Sequence, residues 1–129
     1  MADESRQPLV ERVSRGRVDV LVVRRPEMVK ADVIEALGRE LRRAIDGSHA
    51  QHFVLDLAVV RYMTSAALGM IINLRAHLAD RGYTLALAGA TGEVAHIFEC
   101  TRLADVLPVF PSADAAVHNL ADPCADCDI

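Results

Sequence analysis

The sequence predicts an α/β fold: one domain in which a mixed central β-sheet of about five strands packs against about four helices. Three observations carry this expectation. Short apolar, β-branched runs alternate with longer stretches of helical periodicity, the pattern of strands joined through helices. The chain is 52% hydrophobic, 25% charged and 4% aromatic, with no Trp, so its core is built from Val, Leu, Ile and Ala. At 129 residues it can bury one core without help.

The elements follow in order. Residues 1–8 read as a flexible N-terminus, 9–120 as the domain and 121–129 as a flexible C-terminal tail. Leu9 to Val13 and Val18 to Val23 form a hairpin around Ser14-Arg-Gly-Arg17, because Gly in a short polar break signals a turn. Arg24-Arg-Pro26 ends the second strand. Val33, Ile34, Leu37, Leu41, Ala44 and Ile45 recur at helical spacing, with Glu35, Arg39, Glu40, Arg42 and Arg43 on the other face. Asp46-Gly47-Ser48 stops that helix. Phe53 to Leu57 is an almost continuous apolar run, the mark of a strand covered on both faces. A second helix is predicted from about Ser65 to Asp80, burying Ala67, Leu68, Ile71, Leu74 and Leu78. Tyr83 to Ala88 reads as a strand and Gly92 to Thr101 as a third helix. Val106 to Phe110 reads as a last strand, pushed to a sheet edge by Pro108. Pro111-Ser112 opens a final helix through Ala113, Ala116, Val117 and Leu120.

Composition excludes several functions. A formal charge of −4 and scarce aromatic residues give neither the electrostatic attraction nor the stacking platforms of a nucleic-acid binder. The charge-free run from Tyr62 to Leu74 is far short of the roughly 20 apolar residues that span a bilayer. The polar start Met-Ala-Asp-Glu-Ser-Arg lacks the apolar centre of a signal peptide. Three cysteines make no disulfide framework, and a reducing cytoplasm is the expected location.

The chemistry-bearing candidates are few. Thr64 and Ser65 stand where a hydroxyl either caps a helix or receives a phosphoryl group, whose charge the positive end of the helix dipole tolerates. Around them lie Ala66, Gly69, Met70 and Asn73. Small residues at 65, 66 and 69 let another backbone approach, and Met70 offers an adaptable apolar contact; the alternative is tight packing of this helix on its own sheet. Asp56 stands at a strand end, where it orients Ser65 or caps a local turn. Cys124 and Cys127 form a Cys-x-x-Cys pair in an acidic tail that lacks the positive charge of a reactive thiol pair. Cys100, in an apolar helix, reads as inert packing. His49, His52, His77, His96 and His118 show no metal-ligand spacing. Neither a catalytic residue set, a metal site nor a cofactor motif is expected.

Four segments then stand in register: Val54-Leu-Asp-Leu57; Tyr62-Met-Thr-Ser-Ala-Ala-Leu-Gly69; Arg81-Gly-Tyr-Thr-Leu-Ala-Leu-Ala-Gly89; and Leu103-Ala-Asp-Val-Leu-Pro-Val-Phe110. With them the chain resembles the STAS domain, and within it the bacterial anti-sigma factor antagonists, from about Leu9 to Leu120. The resemblance implies a non-enzymatic regulator without a cofactor, a monomer or weak homodimer. It implies as partners an anti-sigma factor that is a GHKL-type serine kinase, bringing ATP and Mg²⁺, and a cognate phosphatase. The family's phosphorylated serine matches Ser65, with Thr64 the lesser candidate. The partner-binding surface implied is Thr64, Ser65, Ala66, Gly69, Met70 and Asn73. The chain departs from the family pattern in having Thr64 where an acidic residue is usual, Ala66-Ala67 for Ser-Gly, and Pro26-Glu-Met-Val-Lys30 for the Gly-Glu-Leu-Asp turn. The other expectation left open is a STAS scaffold or accessory subunit of a stressosome-like or transport complex, without a kinase switch.

Overall fold

The computed structural model describes residues 9–121. Residues 1–8 and, from 122 on, the tail with Cys124 and Cys127 lie outside the described residues. A hairpin opens the fold: β1 (Val10–Arg15) pairs antiparallel with β2 (Val18–Val23), joining Val10 to Val23 and Arg15 to Val18. Gly16 takes the turn at φ +70°, a conformation cheap only for glycine. A two-residue strand β3 (Glu27–Met28) then leads into α1 (Ala31–Asp46). β4 (His52–Asp56) lies parallel to β2. A second two-residue strand, β5 (Tyr62–Met63), leads into α2 (Ser65–Ala79). β6 (Thr84–Ala88), α3 (Gly92–Thr101), a 3₁₀ turn at Leu103–Asp105, β7 (Val109–Phe110) and α4 (Ala113–Ala121) complete the chain.

The main sheet has the order β1-β2-β4-β6-β7, antiparallel only at its first pair. Alternation along the strands sends Leu21, Val23, Phe53, Leu55, Leu85 and Leu87 to one face, under α1, α2 and α3. Val18, Val20, Val54 and Ala88 go to the other, where α4 lays down Ala116 and Val117. Both faces of the central strands are covered, which is why β4 and β6 read as unbroken apolar runs. The α/β class, the five-stranded mixed sheet and the four helices match the sequence reading, and α2 buries Ala67, Leu68, Ile71, Leu74 and Leu78 as its spacing predicted. None of the described helices is long and apolar enough to cross a membrane.

Two local expectations are corrected. The last strand is only Val109–Phe110. The stretch before it turns instead, with Arg102 left-handed at φ 58° and Val106 half exposed. Pro108 has no N–H for a ladder, yet its carbonyl accepts from the Leu87 N–H at 2.9 Å and so docks the segment. Cys100 is exposed, not packed. α3 buries Val94 and Phe98, one helical turn apart, so Cys100 falls on the opposite side, with its Sγ 3.5 Å from His96 Nε2.

The two short strands were not foreseen, and they position everything that follows. β3 and β5 pair in parallel, Glu27 with Tyr62 and Met28 with Met63. The Pro26 carbonyl accepts from the Arg61 and Tyr62 N–H groups at 2.6 and 3.2 Å, and the Met28 carbonyl from the Thr64 N–H at 3.1 Å. Met28 and Met63 are both buried beneath the pair. The segments that launch α1 and α2 are therefore hydrogen-bonded to each other, and the two helix N-termini emerge side by side.

Candidate functional site at the start of the second helix

Thr64 occupies the N-cap position of α2 in extended conformation, and its carbonyl accepts the first helical bond from the Leu68 N–H at 3.1 Å. Its hydroxyl does not cap. Thr64 Oγ1 is sealed from solvent and has no hydrogen-bond partner among the described residues. Ser65, the first helical residue, is exposed. The two adjacent hydroxyls thus differ sharply: one is sealed and unpaired among the described residues, the other belongs to a solvent-exposed residue. The first turn of α2 carries no acidic residue, so its amide N–H groups face neither a carboxylate of their own turn nor a capping hydroxyl.

From Ser65 the exposed face of α2 continues through Ala66, Ile72 and Asn73. Gly69 and Met70 are half-buried. They line, with Ala66 and Asn73, a groove of about 490 Å³ whose other wall is α1, through Ala31, Glu35, Gly38, Arg39 and Arg42. A Cβ built on Gly38 would stand 3.3 Å from Met70 Cγ, whereas one on Gly69 would meet nothing within 4 Å. The two glycines therefore serve different ends. Gly38 lets the helices close on each other, and Gly69 leaves space that the domain does not fill.

The six residues expected to form one surface divide accordingly. Ser65, Ala66, Gly69, Met70 and Asn73 lie on one connected side of α2, and Thr64 sits below it. Sequence reasoning missed Ile72, which is 46% exposed; the spacing Leu68, Ile71, Leu74, Leu78 places Ile72 off the buried stripe, and that offset held the signal. It also missed the contribution of α1, and Val29 and Tyr62 on the segments flanking Ser65, 49% and 53% exposed. Exposed apolar side chains gathered around one feature mark an interaction surface more than scattered ones do.

The far end of the helix pair is closed by charge. Arg81 Nη1 lies 2.8 Å from Asp46 Oδ1, and His77 Nε2 is a longer 3.5 Å from the same oxygen. Desolvation pushes the Asp46 carboxyl up, but the contacts from His77 and Arg81 outweigh it and hold the group below its ordinary 3.8. Asp56 Oδ1 accepts from the Ala58 N–H at 3.0 Å, capping its own turn rather than orienting Ser65. Gly89 (φ +78°) is forced, since a Cβ there would come within 3.0 Å of Asp56 Oδ1 and of the Ala58 nitrogen. Asp105 pairs with Arg102 at 3.1 Å. No group of three or more His, Cys, Asp or Glu residues that could hold a metal ion occurs among the described residues.

Comparison with known proteins fits this arrangement. Among solved structures, an anti-sigma factor antagonist from Mycobacterium paratuberculosis superposes with a TM-score of 0.72 at 20% identity, over 88% of this chain and 93% of that one. A STAS-domain anti-sigma factor antagonist from Planctomyces limnophilus gives 0.73 at 14% identity, over 84% and 93%. The phosphorylated form of the Bacillus cell fate determinant SpoIIAA gives 0.64 at 12% identity, over 86% and 98%. At these identities the likeness is one of fold. The sequence model of the STAS domain matches residues 11–116, most of the chain, and the protein belongs to the STAS domain family.

Proposed function

We propose that this protein is an anti-sigma factor antagonist: a non-enzymatic cytoplasmic regulator that captures a kinase-type anti-sigma factor on α2 and releases it when Ser65 is phosphorylated. A cognate phosphatase resets the switch. The observation that carries the reading is the contrast between the exposed Ser65 and the sealed Thr64 Oγ1 at the head of an unfilled surface. A phosphate on Ser65 adds about −1.5 to −2 charges at a helix start that lacks its own anion, so the free protein tolerates it. A partner packed over Ala66, Gly69 and Ile72 does not, because the dianion would be desolvated without a counter-charge. One fold relative being known in phosphorylated form is consistent with this.

The test uses each kinase-type anti-sigma factor of the source genome, purified and titrated with the full chain. One of them should bind wild type and Ser65→Ala alike and phosphorylate wild type only, with fragment masses placing the phosphate on Ser65. Ser65→Asp should bind at least about 30-fold more weakly, equivalent to about 2 kcal/mol. Equal binding by Ser65→Asp, or a phosphate on another residue, would refute the switch.

A further inference from the structure

The groove between α1 and α2 carries a charge pattern that a phosphoserine switch does not require. Arg39 and Arg42 are exposed residues of α1 that line this groove opposite Met70 and Asn73. Neither makes an ion pair with a described residue, unlike Arg12, Arg15, Arg24, Arg81 and Arg102; Arg17, Arg25, Arg43, Arg61 and Arg75 share that freedom, but none of those five lines this groove. Between the two guanidiniums and Ser65 the floor is apolar and partly empty, with Met70 closed against Gly38 and open space over Gly69. Glu35 lines the same groove one helical turn before Arg39, nearer the start of α1. The groove is thus graded, acidic near the switch serine and basic beyond it. Arg39 and Arg42 against Glu35 leave the groove lining with a net positive charge, a local attraction for an acidic ligand.

We propose that this groove receives an acidic amphipathic helix of the captured partner. Apolar side chains of that helix fill the floor at Gly69 and Met70, and carboxylates one turn apart meet Arg39 and Arg42. The geometry suits a helix. The lined part of α1, Ala31 to Arg42, is about 17 Å long at 1.5 Å per residue, enough for three turns laid in a groove and read at i, i+3, i+4 and i+7. Glu35 sets the direction, because it repels carboxylates from the Ser65 end. Two exposed guanidiniums also steer an acidic partner and raise its association rate in a salt-dependent way.

This inference rests on the capture reading, and the experiment separates the two. The kinase that binds wild type is titrated with R39E/R42E, with the neutral R39Q/R42Q, and with R43E, an exposed charge reversal on the same helix but off the groove. Measurements are made at about 50 and 200 mM NaCl, across which screening of exposed charges grows appreciably. R39E/R42E should lose at least about 30-fold in affinity, about 2 kcal/mol, with most of the salt dependence. R39Q/R42Q should fall between it and wild type, and R43E should stay within about threefold of wild type. Melting curves identify any variant that fails to fold, in which case the milder pair decides. If both double variants bind like R43E while Ser65→Asp still releases the kinase, the groove proposal is overturned and capture stands. If Ser65→Asp also binds like wild type, the capture reading itself has failed. Loss of self-association by R39E/R42E in sedimentation, with kinase binding unchanged, would assign the groove to a second copy and overturn the proposal.

Discussion

Replacing Gly69 by alanine should make this protein more stable and a poorer partner. In a helix interior glycine costs about 1 kcal/mol relative to alanine, through backbone entropy and lost side-chain cover. Whether a substitution recovers that amount depends on the room for a methyl group. At Gly69 a Cβ meets no atom within 4 Å, so nothing offsets the gain, and about 1 kcal/mol of stabilisation is expected. For a chain of 129 residues this raises Tm by about 4 °C, from an unfolding entropy of about 2.1 cal/mol/K per residue. Gly38→Ala is the internal comparison. Its methyl would lie 3.3 Å from Met70 Cγ, so Met70 must shift and the gain should be smaller or absent. Calorimetry and urea titration give both stabilities, and titration against the kinase gives affinity. Gly69→Ala should bind about tenfold more weakly, since its methyl occupies space the partner needs (about 1.4 kcal/mol). Destabilisation by Gly69→Ala would show that the position is closed. Stabilisation with unchanged affinity would show that no partner enters there.

Two further outcomes follow from the same region. Thr64→Val removes a sealed hydroxyl that has no partner and keeps the β-branched shape, so stability should hold or rise by up to about 1 kcal/mol, and phosphorylation of Ser65 should continue. A loss of more than 1 kcal/mol in urea titration would show that the hydroxyl caps α2 in solution. Arg81→Gln should raise the titration midpoint of the Asp46 carboxyl, followed by NMR, by removing the guanidinium at 2.8 Å. A carboxyl lowered in the folded state adds stability above its unfolded value, near 3.8, and loses it as pH falls through the folded value. Wild type should therefore shed this contribution below about pH 4, and Arg81→Gln should lack that part of the acid response. An unmoved midpoint would contradict the pairing.

Much of this could be read from the residues because the fold repeats one simple signal. The long helices announce themselves by period and the central strands by unbroken apolar runs, and the buried stripe of α2 emerges residue by residue. What failed to appear has physical reasons. β3 and β5 are two residues each, too short for any alternation, and pair because N–H groups of the β5 segment donate to carbonyls of the β3 segment, far away in sequence. Cys100 follows the apolar Ile97-Phe98 pair, and only the packing of α3 through Val94 and Phe98 shows that its own side faces out. Arg39 and Arg42 read correctly as the solvated face of an amphipathic helix, but no pattern within α1 reveals that α2 lies alongside and turns that face into a groove wall. Thr64 and Ser65 are adjacent hydroxyls in sequence, and only the packing around the first tells them apart.

The Pro26 carbonyl, shared by two N–H groups of the segment ahead of α2, makes the paired launch segments a mechanical coupling. Neither can shift alone without stranding a hydrogen bond over two buried methionines. A partner that grips both helices meets a rigid plate, and it loses little freedom of the plate on docking. Under the proposed switch, control of the complex then falls to charge placed on the surface, not to any bending beneath it.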